Sequence, residues 1–176
     1  LLQQHQITLV VDVRSSPYSR YATEFNREAI RSHLRRRGIG YWFLGDLLGG
    51  HPDDEQFYDD EGHVRYDRLA QSSPFQRGIE RVLAGIEGHR AALMCGEEDP
   101  TDCHRRLLIG RVLAERAVSV VHLRGDGRAQ TEEELAREER FRKTKGQRTL
   151  FDLEEARPWR STRSVSPKKR QPNALR

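Results

Sequence analysis

The sequence predicts an α/β fold of three layers, a mainly parallel sheet with helices on both faces. Short apolar and β-branched runs at 7–14, 39–44, 91–95 and 118–123 have the length and near-continuous hydrophobicity of strands buried on both sides. Stretches with apolar residues at helical spacing separate these runs, and that alternation favours parallel strands joined by crossover helices. Right-handed crossovers bring the carboxyl ends of such strands to one edge. Arg14, Leu44, Cys95 and Leu123 are therefore expected near that edge.

Taken in order, residues 1–6 read as the end of a helix and 7–14 as the first strand. Ser15 to Arg20 is a loop around Pro17,. Thr23 is placed to cap a helix whose apolar stripe is Phe25, Ala29, Ile30, His33 and Leu34, with Gly38 ending it,. A second strand at 39–44 is followed by a turn at 45–50. The acidic, aromatic-dotted and aperiodic stretch 51–62 reads as a surface insertion. Ser73-Pro74 opens a helix with Phe75, Ile79, Val82, Leu83 and Ile86 on one face. The strand at 91–95, a reactive turn and a helix to about Arg116 come next, and then the last strand at 118–123. Thr131 and Glu134 form a capping box that starts a charged helix to about Lys143,. Periodicity ends after Gly146, so 1–146 is expected to be one α/β domain and 147–176 a basic, largely unstructured tail.

Charge separates the same two parts. The formal net charge is +4, yet 157–176 holds seven basic residues and no acid, leaving the remainder at about −3. Nucleic acid is thus not expected to bind over the whole body, whereas the tail could contact phosphates. Two cysteines do not make a disulfide framework. With no signal peptide and no long apolar run, a cytoplasmic, reducing setting and no membrane partner are expected. The pattern implies no cofactor and indicates no oligomeric state.

Chemistry concentrates in the turn from Cys95 to Arg106, which holds both cysteines, Glu97, Glu98, Asp99, Asp102, His104 and Arg105. Ligands of open α/β sheets bind outside the carboxyl ends of the strands. With Asp99 as N-cap and Pro100 as the first helical residue, free N–H groups would face an anion there. Cys95 or Cys103 could serve as a nucleophile if the helix N-terminus and His104 or Arg105 lower its pKa; buried inert thiols are the plainer reading. Glu97 suits a general acid or base, or a carboxylate that ties Arg14 or Arg105 in place. A phosphatase loop, with Cys and Arg closing around five residues, is absent, because Thr101 stands six positions after Cys95. Zinc held by Cys95, Cys103, His104 and His122 is disfavoured by the eight-residue cysteine spacing and by Cys103 and His104 facing different sides of a helix. No metal is expected.

At the end of the first strand, Asp12 and Arg14 lie two apart and share a face. One reading is a structural ion pair. The other has Arg14 holding an anion in its fork, with Ser15, Ser19 and Arg20 adding donors.

These stretches together resemble a known family. Val11-Asp12-Val13-Arg14-Ser15-Ser16-Pro17-Tyr18-Ser19-Arg20, Gly38-Ile39-Gly40-Tyr41, Leu48-Gly49-Gly50, Leu93-Met94-Cys95-Gly96-Glu97, Cys103-His104-Arg105-Arg106 and Val121-His122-Leu123 are similar, in order and spacing, to the domain of unknown function 488 family over roughly 1–145. The resemblance implies an α/β layered fold and no particular reaction. It also implies an opening strand with a Thr-Ile-Gly-His-Ser stretch, which this sequence lacks. The connection at 51–62 is longer and more acidic than the family's, and Trp159 to Ser166 resembles a tail element of some relatives.

Two functional expectations follow. In the first, an enzyme-like domain binds or acts on a phosphate-bearing ligand, a nucleotide or nucleic acid. Arg14, Arg20 and Arg105 bind the anion together with Asp12 and Ser15, Glu97 or His104 moves a proton, and Cys95 or Cys103 is the nucleophile. In the second, the chain is a non-catalytic nucleic-acid accessory protein that uses its basic tail.

Overall fold

Leu9–Asp12 (β1), Gly40–Phe43 (β2) and Ala91–Met94 (β3) form one sheet in the order β2-β1-β3. Both pairings are parallel, with Leu9 opposite Gly40 and Ala91, and Asp12 opposite Phe43 and Met94. The computed structural model describes residues 1–143 and 158–165. All four residues of β1 are buried, because the strand is central and covered on both faces.

Alternation along β1 separates two cores. Leu9, Val11 and Val13 face Phe75, Ile79 and Val82 of α4 (Ser73–Gly88) and Leu108, Ile109 and Val112 of a helical stretch that follows β3. Val10 faces the other way, toward Ile30 and Leu34 of α1 (Arg27–Arg35). Each such side chain contributes on the order of 1.5–3 kcal/mol when fully buried, so the parallel sheet with helices on both faces is anchored through its middle strand. Gly38, at φ +69°, ends the α1 segment in the left-handed conformation that favours glycine. Ser72 caps α4 by accepting from the Phe75 amide at 3.4 Å. Short helices α2 (Gly45–Leu48) and α3 (Tyr66–Leu69) complete the α4 side with buried Leu48, Tyr66 and Leu69.

Several local expectations are corrected. Thr23 does not cap α1; it starts a single 3-10 turn, and Asn26 precedes the helix. The Asn26 side chain is drawn away to the Ser19 amide at 2.6 Å. The stretch 118–123 does not add a parallel strand. Val121–Leu123 (β4) pairs antiparallel with Ala129–Thr131 (β5) in a separate two-stranded sheet. The reason lies in Asp126-Gly127: Gly127 at φ +93° closes a tight turn in which the Arg124 amide donates to the Arg128 carbonyl at 2.9 Å,. The capping box holds, with Thr131 and Glu134 exchanging bonds of 2.9 and 3.2 Å at the start of α6 (Glu132–Lys143).

Part of the stretch read as a tail is docked. Trp159 donates from Nε1 to the Leu107 carbonyl at 2.7 Å, Arg160 pairs with Asp59 at 2.6 Å, and Ser161 is buried against Val64. The rest of the expected tail, 147–157 and 166–176, lies outside the described residues. No helix among the described residues is long and apolar enough to cross a membrane.

Candidate functional site

The turn that carries both cysteines begins where β3 ends. Strand alternation puts Cys95 on the α4 side of the sheet, against that core. Asp99 accepts from the Thr101 amide at 2.9 Å and its hydroxyl at 2.8 Å, capping a 3-10 turn of three residues, Pro100–Asp102. The chain then leaves helical geometry. Cys103 is extended, at φ −98° and ψ 135°, and helix resumes as a wide π turn, Arg105–Gly110, that runs into α5 (Arg111–Ala114). Cys103 is therefore not in a first helical turn, and the argument that Cys103 and His104 must point apart loses its premise. The extended residue sends both side chains into one corner, where ligating atoms of Cys95, Glu97, Cys103 and His104 all lie within 4.8 Å of one another.

Hydrogen bonds organise the corner around one carboxylate oxygen. Glu97 Oε2 accepts from the Cys95 thiol at 2.8 Å and from the Cys103 thiol at 3.5 Å. His104 Nδ1 stands 3.5 Å from Cys95 Sγ, and its Nε2 lies 3.1 Å from the Val13 carbonyl. A carbonyl only accepts, so Nε2 carries the proton and Nδ1 presents its lone pair to the Cys95 sulfur,. Gly50 backs the same ring: a Cβ there would stand 2.7 Å from His104 Cγ and 2.9 Å from Nδ1. Cys103 is buried, Cys95 and His104 are half-buried, and Glu97 is exposed.

The two thiols differ. The interaction between the thiols and then burial push Cys95 well up, whereas the same interaction leads in drawing Cys103 down against its burial. The pair thus gives up its first proton more readily than its second. Burial pushes Glu97 up, but the two thiol hydrogen bonds outweigh it and hold the carboxyl below its ordinary value.

The expected anion-binding residues are distributed otherwise. Asp12 and Arg14 do pair, through Nε–Oδ1 at 2.9 Å and Nη2–Oδ2 at 2.6 Å. Asp12 Oδ2 also accepts from the Tyr41 hydroxyl at 2.7 Å, and Arg14 Nη2 donates to the Phe25 carbonyl at 3.0 Å. This group sits on the α1 face, opposite Cys95, because Asp12 and Val13 alternate. The fork of Arg14 thus holds a carboxylate of its own chain. Arg105 reaches the backbone carbonyls of Glu97 and Glu98, the latter at 2.6 Å, and so braces the loop rather than pairing with the Glu97 carboxylate. Ser15 Oγ accepts from the His51 amide at 3.0 Å. Arg20 is exposed on the loop after β1. His122 does not reach the corner; it is buried and binds Glu132 at 2.9 Å.

Reasoning from residue chemistry alone passes over Gly50 and Tyr41. Both fall in short motifs of the family pattern, and that was their available signal.

An α/β domain with a dithiol, a carboxylate and an oriented imidazole at the carboxyl edge of a parallel sheet defines the class of this protein. Residues 1–112 match the family described as Domain of unknown function DUF488, and the chain belongs to that family. The match covers β1 to β3 and the whole corner, and ends before the β4–β5 hairpin. No curated protein and no solved structure matches.

Proposed function

We propose that the corner is the working centre of an enzyme-like domain that binds and acts on a phosphate-bearing ligand. The observation that carries the reading is the convergence of Cys95, Glu97, Cys103 and His104 within 4.8 Å at the edge where open α/β folds receive ligands. Glu97, the exposed member, moves the proton. His104 is held by Val13 and offers a fixed lone pair instead of a shuttle. Arg20 supplies the open positive charge. Arg14 and Arg105, already engaged with Asp12 and the 97–98 carbonyls, add to the field of the edge.

Calorimetry with pyrophosphate and with nucleoside triphosphates tests this on the whole chain. Binding that weakens in Arg20→Ala and persists in Glu97→Gln supports the assignment, because Glu97 is given a proton role and not a gripping one. Absence of binding to every phosphate compound counts against it. A second reading, a nucleic-acid accessory role, is favoured by the seven basic residues without an acid at 157–176.

A further inference from the structure

We infer that Cys95 Sγ, Cys103 Sγ, His104 Nδ1 and the Glu97 carboxylate form a binding site for one zinc-class divalent ion. The inference deepens the reading of this corner as the working centre and does not depend on the class of ligand.

Zinc takes thiolate, imidazole and carboxylate ligands at about 2.0–2.3 Å, which sets tetrahedral ligand separations of roughly 3.3–3.8 Å. The Cys103–Glu97 and Cys95–His104 distances are both 3.5 Å. The shorter Cys95–Glu97 contact, 2.8 Å, is a thiol-to-carboxylate hydrogen bond that opens when the thiol loses its proton. The remaining separations stay within 4.8 Å. Two sulfurs and one nitrogen select a borderline metal over magnesium or calcium, which take oxygen ligands.

The surroundings match a ligand set independently of the distances. A metal-binding histidine characteristically donates its other ring N–H to a backbone carbonyl or carboxylate. His104 does this through Nε2 to Val13, 91 positions away, which leaves Nδ1 aimed at Cys95. Gly50 packs on the ring where any side chain would displace it. Two features of the sequence speak against zinc, the eight-residue cysteine spacing and the different helical faces of Cys103 and His104; the folded chain nonetheless brings all four ligating atoms within 4.8 Å of one another. The extended Cys103 removes the helical-face argument, and Glu97 takes the place that His122, bound to Glu132, does not reach.

Charge and protons balance simply. Each thiol releases its proton to solvent on binding, while the ionised carboxylate and neutral imidazole bind without proton loss. The bound site carries one net negative charge, beside the Arg105 guanidinium. Three ligands lie on the buried or half-buried side and Glu97 on the exposed side, so Glu97 is the ligand that an incoming oxygen can replace.

The test uses the whole reduced chain, stripped of metal and titrated with Co²⁺. A thiolate-to-cobalt charge-transfer band should saturate at one equivalent and disappear when Zn²⁺ is added. Cys95→Ser should weaken the band by about half or more and lower cobalt affinity, since one thiolate ligand of two is lost. Gly50→Ala should lower cobalt affinity by roughly 10- to 100-fold, as loss of ligand-orienting groups does elsewhere. Since Cys103 is buried, Cys103→Ser is accompanied by circular dichroism, and Zn²⁺ protection of both wild-type thiols against alkylation provides a readout that needs no variant. Absence of both the band and the protection overturns the inference, as does an unchanged band in Cys95→Ser. Pyrophosphate added to the cobalt form separates the two readings: a band that forms but does not respond sustains the metal site and counts against the phosphate ligand. Phosphate binding without any band does the reverse.

Discussion

Replacing Glu132 with glutamine tests the electrostatic brace behind the corner. Glu132 accepts from Arg106 Nε at 2.8 Å and from His122 Nε2 at 2.9 Å, tying α6 to β4 and to the helix that follows His104. Burial pushes the Glu132 carboxyl up, but the bonds from His122 and Arg106 outweigh it and hold the group at about 2, against an ordinary 4.5. At ~1.36 kcal/mol per pH unit, that interval bounds the contribution at ~3.4 kcal/mol. The Glu132 side chain is 51% exposed, and solvent screening reduces the expected value to ~1–1.5 kcal/mol. Because folding lowers this carboxyl's pKa, the stabilisation is fully present above about pH 4.5 and is lost as pH falls toward about 2. Urea denaturation of both chains at about pH 7, 5 and 3.5 reads the difference. Glu132→Gln should be less stable by a similar amount at the two higher values, and the gap should narrow by roughly two fifths at the lowest. A gap that is absent at neutral pH, or that does not change with pH, refutes the electrostatic account.

Three further outcomes are expected. Asp12→Ala should cost about 3–5 kcal/mol in urea denaturation, because it leaves the Arg14 guanidinium and Tyr41 hydroxyl without their common buried partner,. Trp159→Ala should lower stability by about 2 kcal/mol: it removes the bond to Leu107 and the Arg111 guanidinium stacked 4.2 Å over the ring,. A chain ending at Val165 should keep the stability of the whole chain yet bind duplex DNA more weakly, with a flatter salt dependence; equal affinity and slope would remove the 166–176 bases from any role in binding. A chain ending at Ala156 should instead be destabilised, since the docked segment goes with it.

Much of this protein is settled locally, by residues within a few positions of one another. The apolar run around Val11 and the helical stripe of Phe75, Ile79 and Val82 report burial directly, because periods of two and of 3.6 residues expose one face each. Pairing of Asp12 with Arg14, capping by Ser72 and the Thr131–Glu134 box are likewise contacts between near neighbours. The turn after β3 stands out in the sequence as well, since it holds both cysteines and His104 beside a strand end.

What that turn can do was decided by tertiary structure. A single extended residue between two helical segments turns Cys103 and His104 into one corner, and no spacing rule for a continuous helix describes that. The His104 tautomer depends on a carbonyl of the central strand, and its ring position on a glycine from a different turn. The β4–β5 hairpin prevailed over a parallel strand because Gly127 can adopt a positive φ, and Trp159 holds its segment on the body through a distant carbonyl. Sequence periodicity records which side of each element is buried. The meeting of the 95–104 side chains with the Val13 carbonyl and with Gly50 depends on where those elements pack, and that is set by the whole core at once.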